Sequence, residues 1–439
     1  MPDPNRVTVV GAGLAGSEAS LRLADAGIAV DLVEMRPAAG TEAHRTGWFA
    51  ELVCSNSLGS EEIVSGKGLL KEELRIFGSA LLPIADAARV PAGKALAVDR
   101  ERFARAVTEA VRSRPGIRVV EGEAREIPEA PLVVLACGPL APEPITSAIR
   151  ALLGDEGFYF YDAISPIVDA ATIDASAGYV ADRYGAGSGD YLNLPMDRAR
   201  YEAFLAALLA AKTVPLREFE EPRYFEGCMP VEEIARRGPD TLLFGPLRPV
   251  GLPDPRTGRI PHAVVQLRRE NAEGTMYNLV GFQTRMTYPE QKRILSMIPG
   301  LEGADFLRYG SVHRNGFLDA RRSLTPCMEF RGRRGLFFAG QITGVEGYVE
   351  SIASGLVAGV AAVRRAAGRE PLEFPRETMT GSLMAHITTP GPGAPQPMNA
   401  NFGLLPEIAV RRKKERKERK AQTALEAASA FALSLPRLP

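Results

Sequence analysis

The chain has 439 residues, 45% hydrophobic and 24% charged, an ordinary composition with enough apolar material for two or more domains. No stretch approaches about 18 uninterrupted apolar residues, and the opening Met1-Pro2-Asp3-Pro4-Asn5 has neither a basic nor an apolar leader region, so a membrane protein is not expected and a cytoplasmic location is. The formal net charge is zero, but residues 411–420 hold eight basic and two acidic side chains, leaving 45 against 51 elsewhere, so the positive charge is concentrated in one segment.

In chain order, the first working stretch is Arg6-Val-Thr-Val-Val-Gly11-Ala12-Gly13-Leu14-Ala15-Gly16-Ser17-Glu18. Val7 to Val10 reads as a buried strand, Ser17 to Ala26 as a helix, and Ala29 to Val33 as a second strand ending at Glu34. That is a βαβ unit. Gly11 permits the sharp turn, Gly13 lets the backbone approach a pyrophosphate, and Gly16 lets helix and strand pack without an intervening Cβ. The helix N-terminus favours the diphosphate, and Glu34 is placed to accept from an unphosphorylated ribose 2′-hydroxyl, which indicates FAD or NAD. Met35 and Arg36 follow on the turn beside this site.

The polar, Gly-containing passage from there to about Ser65 includes Leu52-Val53-Cys54-Ser55-Asn56-Ser57-Leu58-Gly59 and reads as a loop over the cofactor. Residues 67–82 and 99–112 read as helices; 117–122 and 132–136 read as strands, the second running into Cys137-Gly138-Pro139 like a second crossover of the nucleotide fold. From about Gly154 to Arg322 the texture changes to short strands and turns with one clear helix, Arg198 to Leu209, as in an inserted α+β domain. Nucleotide texture returns at Gly335-Leu-Phe-Phe-Ala-Gly340-Gln341 and continues through Gly347, Tyr348 and Ser351 into a small-residue helix. A second strand, glycine turn and helix suits a flavoprotein whose second helix N-terminus lies near the flavin end, and Gly340, Gln341, Gly347, Tyr348 and Ser351 complete the expected cofactor set. The expected fold is α/β: a Rossmann-like FAD-binding domain in two parts (1–153 and 323–375), an inserted α+β domain (154–322), and a C-terminal extension (376–439). That extension carries a helix, basic in its first half, with Ala421, Leu425, Ala428, Ala432 and Leu435 on one stripe. The basic run reads equally as a solvated helix face or as a phosphate-backbone contact.

Four cysteines, Cys54, Cys137, Cys228 and Cys327, are far apart with no CxxC spacing, which argues against zinc or any other metal site and against a disulfide framework. Cys137 and Cys327 read as core thiols. Cys54, beside Ser55 and Asn56, and Cys228, in Phe225-Glu-Gly-Cys228-Met-Pro230, lie in loops with polar or glycine neighbours and are the reactive candidates.

Together, the GAGLAG opening, Val53-Cys54-Ser-Asn-Ser-Leu58, Phe225-Glu-Gly-Cys228-Met-Pro230, Gly281-Phe-Gln-Thr-Arg285-Met-Thr-Tyr288-Pro-Glu-Gln-Lys-Arg293, His313-Arg314-Asn315 and Phe338-Ala-Gly340-Gln-Ile-Thr-Gly-Val-Glu-Gly-Tyr348 resemble the folate- and FAD-dependent tRNA uracil-5-methyltransferases. The resemblance runs from residue 7 to about 360. It implies methylation of C5 of a tRNA uridine, in the T loop. Methylenetetrahydrofolate is the carbon donor, reduced FAD the carrier and reductant, and NADH or NADPH the source of electrons. It further implies that Cys228 adds to uracil C6 while Cys54 assists as base, although the residues themselves leave these roles exchangeable. His313, Arg314, Asn315, Arg285 and Tyr288 become candidates for the folate site, since a pterin needs a stacking partner and its tail needs cations. The larger flavoproteins that modify wobble uridine share the nucleotide fold but carry a long additional region. A flavin oxidoreductase acting on a small molecule and a non-catalytic RNA-binding flavoprotein are the competing readings.

Overall fold

A computed structural model describes residues 6–41, 43–154, 160–185, 189–214, 229–269, 274–390, 397–408 and 413–435, with the backbone alone at 160–164, 308, 311–315 and 413–414. The first strand, Arg6–Val10, sits in the middle of a five-stranded sheet ordered Leu336–Phe338, Val133–Leu135, Arg6–Val10, Ala29–Glu34, Ile117–Glu121. Every pairing in it is parallel. Val7, Val9 and Val10 are buried because helices cover both faces of such a sheet, which is why this strand reads as a continuous apolar run. All five strands were expected, and the sheet joins the N-terminal βαβ unit to the strand that follows some 300 residues later.

Two helices cross the sheet in direct contact, Leu14–Asp25 and the long Tyr348–Ala366. Small residues let them meet backbone to backbone: a Cβ on Gly355 would lie 2.3 Å from the Ala15 carbonyl oxygen, and one on Gly359 would lie 3.2 Å from Ala19 Cα. The small-residue composition of the long helix is therefore a packing requirement.

The insertion forms a six-stranded sheet ordered Tyr179–Val180, Tyr191–Met196, Ala263–Arg269, Met276–Leu279, Ile167–Asp169, Phe306–Arg308, with antiparallel pairing throughout. Helix Arg198–Leu209 covers it, burying Tyr201, Phe204 and Leu208 in a core separate from that of the nucleotide sheet. The α/β fold with an inserted α+β unit is thus as expected.

Two local readings are corrected. The passage before Ser65 is not all loop: Ser57–Ser60 pairs antiparallel with Ala95–Val98, which also pairs with Arg89–Val90. Its polar sequence gave no alternation, and the strand is stabilised instead by the buried Lys71 amine, which donates to the carbonyls of Leu58, Gly59 and Ser60 at 3.0, 2.9 and 2.7 Å. Residues 67–82 are not one helix. Gly66–Ile76 stops at Phe77 because Gly78 takes a φ of 77°, and a second helix, Leu81–Ala87, begins beyond it.

The C-terminal helix, Lys413–Ala432, docks through Ala421, Ala424 and Ala428 onto Gly66–Ile76, with Phe431 against Phe374 and Phe77. The expected apolar stripe is the face in contact. Among the described residues no helix is long and apolar enough to cross a membrane, and no group of three or more His, Cys, Asp or Glu is placed to hold a metal ion.

Candidate active site

The glycine turn leaves the first strand with Gly11 at a φ of 95°, and a Cβ there would lie 2.5 Å from the Ala136 carbonyl oxygen. A Cβ on Gly16 would overlap the Gly11 oxygen at 1.8 Å, so this glycine seats the helix on the turn. Gly13 differs: its Cβ would meet no protein atom within 4 Å. It caps a helix whose first turn offers free N–H groups, with no side chain bonded to them from the cap. Space and donors coincide there, as a close-lying diphosphate requires.

Gly13 opens on a cleft lined on one side by Leu14, Ala15, Glu34, Met35 and Arg36 and on the other by Gly340, Gln341, Tyr348 and Ser351. Eleven of the 14 residues expected to hold the cofactor line it, Gly11 and Gly13 completing that set. The other three support it. Ala12 is buried and donates its N–H to Glu34 Oε2 at 2.6 Å, Gly16 lies under the turn, and Gly347 precedes the long helix at a φ of 118°.

Glu34 lines the cleft and also orders the turn. Its carboxylate also accepts from the Arg36 N–H at 3.0 Å and from Arg36 Nε at 2.8 Å. Burial alone would raise its pKa, but the Arg36 hydrogen bonds and charge and the Ala12 N–H bring it below the ordinary value. It therefore stays an anion, and four hydrogen bonds, two to each oxygen, hold it in place to order the turn.

Sequence reasoning missed part of the wall: Thr41, His44, Gly122, Gly138, Pro139 and Leu140 also line the cleft. The strand ending in Ala136-Cys137-Gly138 was the available signal. Cys137, expected in the core, packs against it half-buried and also lines the cleft, and burial pushes its thiol up to about 12. Cys327 is buried as expected, its thiol likewise raised to about 12 by burial first.

The Cys54 loop closes one end of the cleft, where Glu51 and Val53 contribute to the lining. Tyr348 fixes it. The phenol oxygen accepts from the N–H groups of Cys54 and Ser55 at 2.8 and 2.9 Å, and burial raises the phenol pKa. Arg100 donates to the Leu52 carbonyl at 2.8 Å from below. From the inserted sheet, Arg268 donates to Asn56 Oδ1 at 2.9 Å and to Ser55 Oγ at 3.2 Å, while Asn56 Nδ2 donates to the Arg269 carbonyl at 2.8 Å. The cysteine loop is thus held at once by the nucleotide fold and by the insertion.

Cys228 lies outside the described residues, but both flanks of its segment are anchored to the stretch 283–286. Val214 N–H donates to the Arg285 carbonyl at 2.8 Å, and Thr213 bridges to Met286. Val231 N–H donates to the Gln283 carbonyl at 2.7 Å, and the buried Glu232 accepts from Arg285 N–H and Thr284 Oγ1, each at 2.8 Å. Arg285 pairs through its side chain with Glu233 at 3.0 Å. Tyr288 is exposed at the start of helix Tyr288–Leu295, and neither it nor Arg285 lines the dinucleotide cleft. His313, Arg314 and Asn315 lie on strand Ser311–Asn315, paired with Phe160–Ile164, and their side chains are outside the described set.

A glycine turn on a helix N-terminus, an anionic glutamate closing the second strand, and a second strand-turn-helix across the cleft define a protein of the Rossmann-like dinucleotide-binding class. Comparison with known proteins narrows this. The family model described as glucose inhibited division protein A matches residues 6–370. A methylenetetrahydrofolate–tRNA-(uracil-5-)-methyltransferase from Rubrobacter xylanophilus is 55% identical over 448 residues, covering 100% of this chain and 99% of its own. One from Sulfurihydrogenibium sp. is 52% identical over 422 residues, 96% of each chain. Among solved structures, GidA from Aquifex aeolicus in its form II crystal superposes with a TM-score of 0.73 at 19% identity, over 98% of this chain and 74% of that one, which shows a shared fold. The chain belongs to the methylenetetrahydrofolate–tRNA-(uracil-5-)-methyltransferase family.

Proposed function

We propose that this protein methylates C5 of a uridine in tRNA, with methylenetetrahydrofolate as carbon donor and FAD in the cleft. The observation that carries the reading is the seat of the Cys54 loop on Tyr348, the residue that also lines the dinucleotide cleft, in a chain 52–55% identical to such methyltransferases along almost its whole length. The open Cβ position of Gly13 and the free helix N-terminus fit the diphosphate of FAD, with Glu34 toward the ribose and Gln341, Tyr348 and Ser351 toward the flavin end. When bound, FAD supplies the means to carry and reduce the folate-derived carbon, and NADH or NADPH is the reductant that visits it.

The chain's own thiols supply the activation of uracil. C5 becomes nucleophilic when a thiolate adds to C6; C5 then takes the methylene carbon that the folate gives up, a base removes the C5 proton, the thiolate leaves, and the added methylene becomes a methyl with the hydride equivalent that reduced FAD would supply. Cys228 is the nucleophile in this reading and Cys54 the base. His313, Arg314, Asn315 and Arg285 hold the folate. The target uridine is in the T loop, extruded to meet the thiol, and the exposed basic face of helix Lys413–Ala432 contacts tRNA phosphates. Residues 1–153 and 323–375 form the two parts of the FAD-binding domain, 154–322 the insertion and 376–439 the extension, in a protein of the cytoplasm. The test is transfer of labelled carbon from methylenetetrahydrofolate into unmodified tRNA by the FAD-loaded, reduced enzyme. Label arriving instead from S-adenosylmethionine, or no label at all, rejects the proposal.

A further inference from the structure

Strand Phe306–Arg308 forms one edge of the inserted sheet, and strand alternation sends neighbouring side chains to opposite faces. Leu307 lines a second cleft, which Trp48 and Arg100 of the nucleotide fold also line. Phe306 points the other way and stacks on Tyr309, with centroids 5.6 Å apart and planes 21° apart. Tyr309 in turn stacks on Tyr288 at 5.2 Å and 23°. Three near-parallel rings result, and the outermost, Tyr288, is 60% exposed.

A tyrosine so exposed is not held for its own burial; the stack fixes the plane of its ring and leaves a π face open to solvent. Lys212, Lys292 and Arg293 are exposed nearby, and Glu290 pairs with Arg293 at 2.5 Å and also faces the Lys212 charge. The ring also follows directly on residues 283–286, which anchor Val214 and Val231. A planar ring face with the exposed side chains of Lys212 and Lys292 close by matches an unstacked nucleobase with its phosphates. It matches the dianionic tail of a folate less well, since the ring stands outside the dinucleotide cleft.

We propose that Tyr288, supported by Tyr309 and Phe306, is a stacking platform for a base of the bound tRNA. The inference rests on the proposed tRNA methyltransferase activity and assigns this ring to the nucleic acid instead of the folate. The experiment is steady-state methyl transfer by the full-length, FAD-loaded enzyme, with tRNA and methylenetetrahydrofolate varied separately, for Tyr288→Ala, Tyr288→Leu and Tyr288→Phe. Loss of one base–ring stack raises KM for tRNA roughly 5- to 150-fold in the Ala variant. The Leu variant, which keeps apolar bulk without a π face, behaves like Ala, whereas Phe restores the parent value; kcat and KM for folate stay unchanged. An unaltered KM for tRNA in both Ala and Leu variants, or a rise in KM for folate instead, overturns the assignment. Failure of the underlying reading would look different, because the parent enzyme itself would then transfer no label.

Discussion

The contrast between Gly13 and Gly16 gives a sharp test of how the turn works. In Gly16→Ala the new Cβ falls 1.8 Å from the Gly11 carbonyl oxygen and 3.2 Å from Ala136 Cβ. Backbone cannot yield as a flexible side chain does, so the helix must lift from the turn. Overpacking costs about 1–3 kcal/mol and occasionally more, and a clash with main chain belongs at or above the upper end of that range. In Gly13→Ala the Cβ enters open space, at a φ of −71° that any residue adopts. Restricting the unfolded chain contributes about 0.4–1 kcal/mol of stability, offset by a loss of about 0.5–1 kcal/mol because alanine is a poorer N-cap than glycine. The FAD-free protein should therefore unfold in urea at its parent midpoint. Its cleft, however, has lost the space against the helix N-terminus. Losing one charge-assisted hydrogen bond to the diphosphate, worth about 1.5–3 kcal/mol, weakens FAD binding roughly 10- to 150-fold. Titration of FAD-free protein by quenching of flavin fluorescence reads the affinity, and urea unfolding reads the fold. The reasoning is refuted if Gly13→Ala binds FAD like the parent, or if it loses as much stability as Gly16→Ala.

Cys228→Ala and Cys54→Ala should each abolish methyl transfer while the protein keeps its bound flavin, because the Cys54 loop is held on Tyr348 through main-chain N–H groups; absorbance spectra of the purified variants check retention. Arg268→Ala leaves Asn56, a fully buried side chain, short of a donor, a cost of about 1–3 kcal/mol. The expected result is a kcat lowered by about tenfold with flavin content unchanged, read by label transfer and spectrum, since tenfold corresponds to about 1.4 kcal/mol. The buried carboxyls of Glu18 and Glu73 are pushed up to about 7, by burial first, with N–H and hydroxyl donors pulling the other way. Folded values above the unfolded value of about 4.3 mean the folded chain holds the extra protons, so their contribution is complete below that value and is lost as pH rises through about 7. Urea midpoints should therefore fall across that window, and less steeply in Glu73→Gln; equal slopes for parent and variant would contradict the linkage.

What was legible in the sequence was what is local. The glycine turn, its helix and Glu34 lie within a few turns of chain, and each chemical requirement there leaves a mark on residue type. The second strand-turn-helix was legible for the same reason. The grip on the Cys54 loop was not. Tyr348 and Cys54 stand 294 positions apart, and nothing in either neighbourhood announces a phenol accepting two N–H groups. Arg268 and Asn56 meet across 212 positions, joining two domains by side chains that read in sequence as ordinary polar residues. Strand Ser57–Ser60 escaped notice because its support is the buried Lys71 amine and not an alternating apolar face. Cys137 packs against the core that its apolar strand announces, and what the strand does not announce is that the residue also lines the cleft.

The central claim is that the thiols of Cys228 and Cys54 direct a folate-derived carbon to uracil C5. Mass analysis of nucleosides from unmodified tRNA, after incubation with the reduced, FAD-loaded enzyme and methylenetetrahydrofolate labelled at the methylene carbon, tests it most directly. The account predicts labelled 5-methyluridine at a single T-loop position with the parent enzyme and none with Cys228→Ala. Label at a wobble uridine, or tRNA left unlabelled while the flavin turns over, would contradict it.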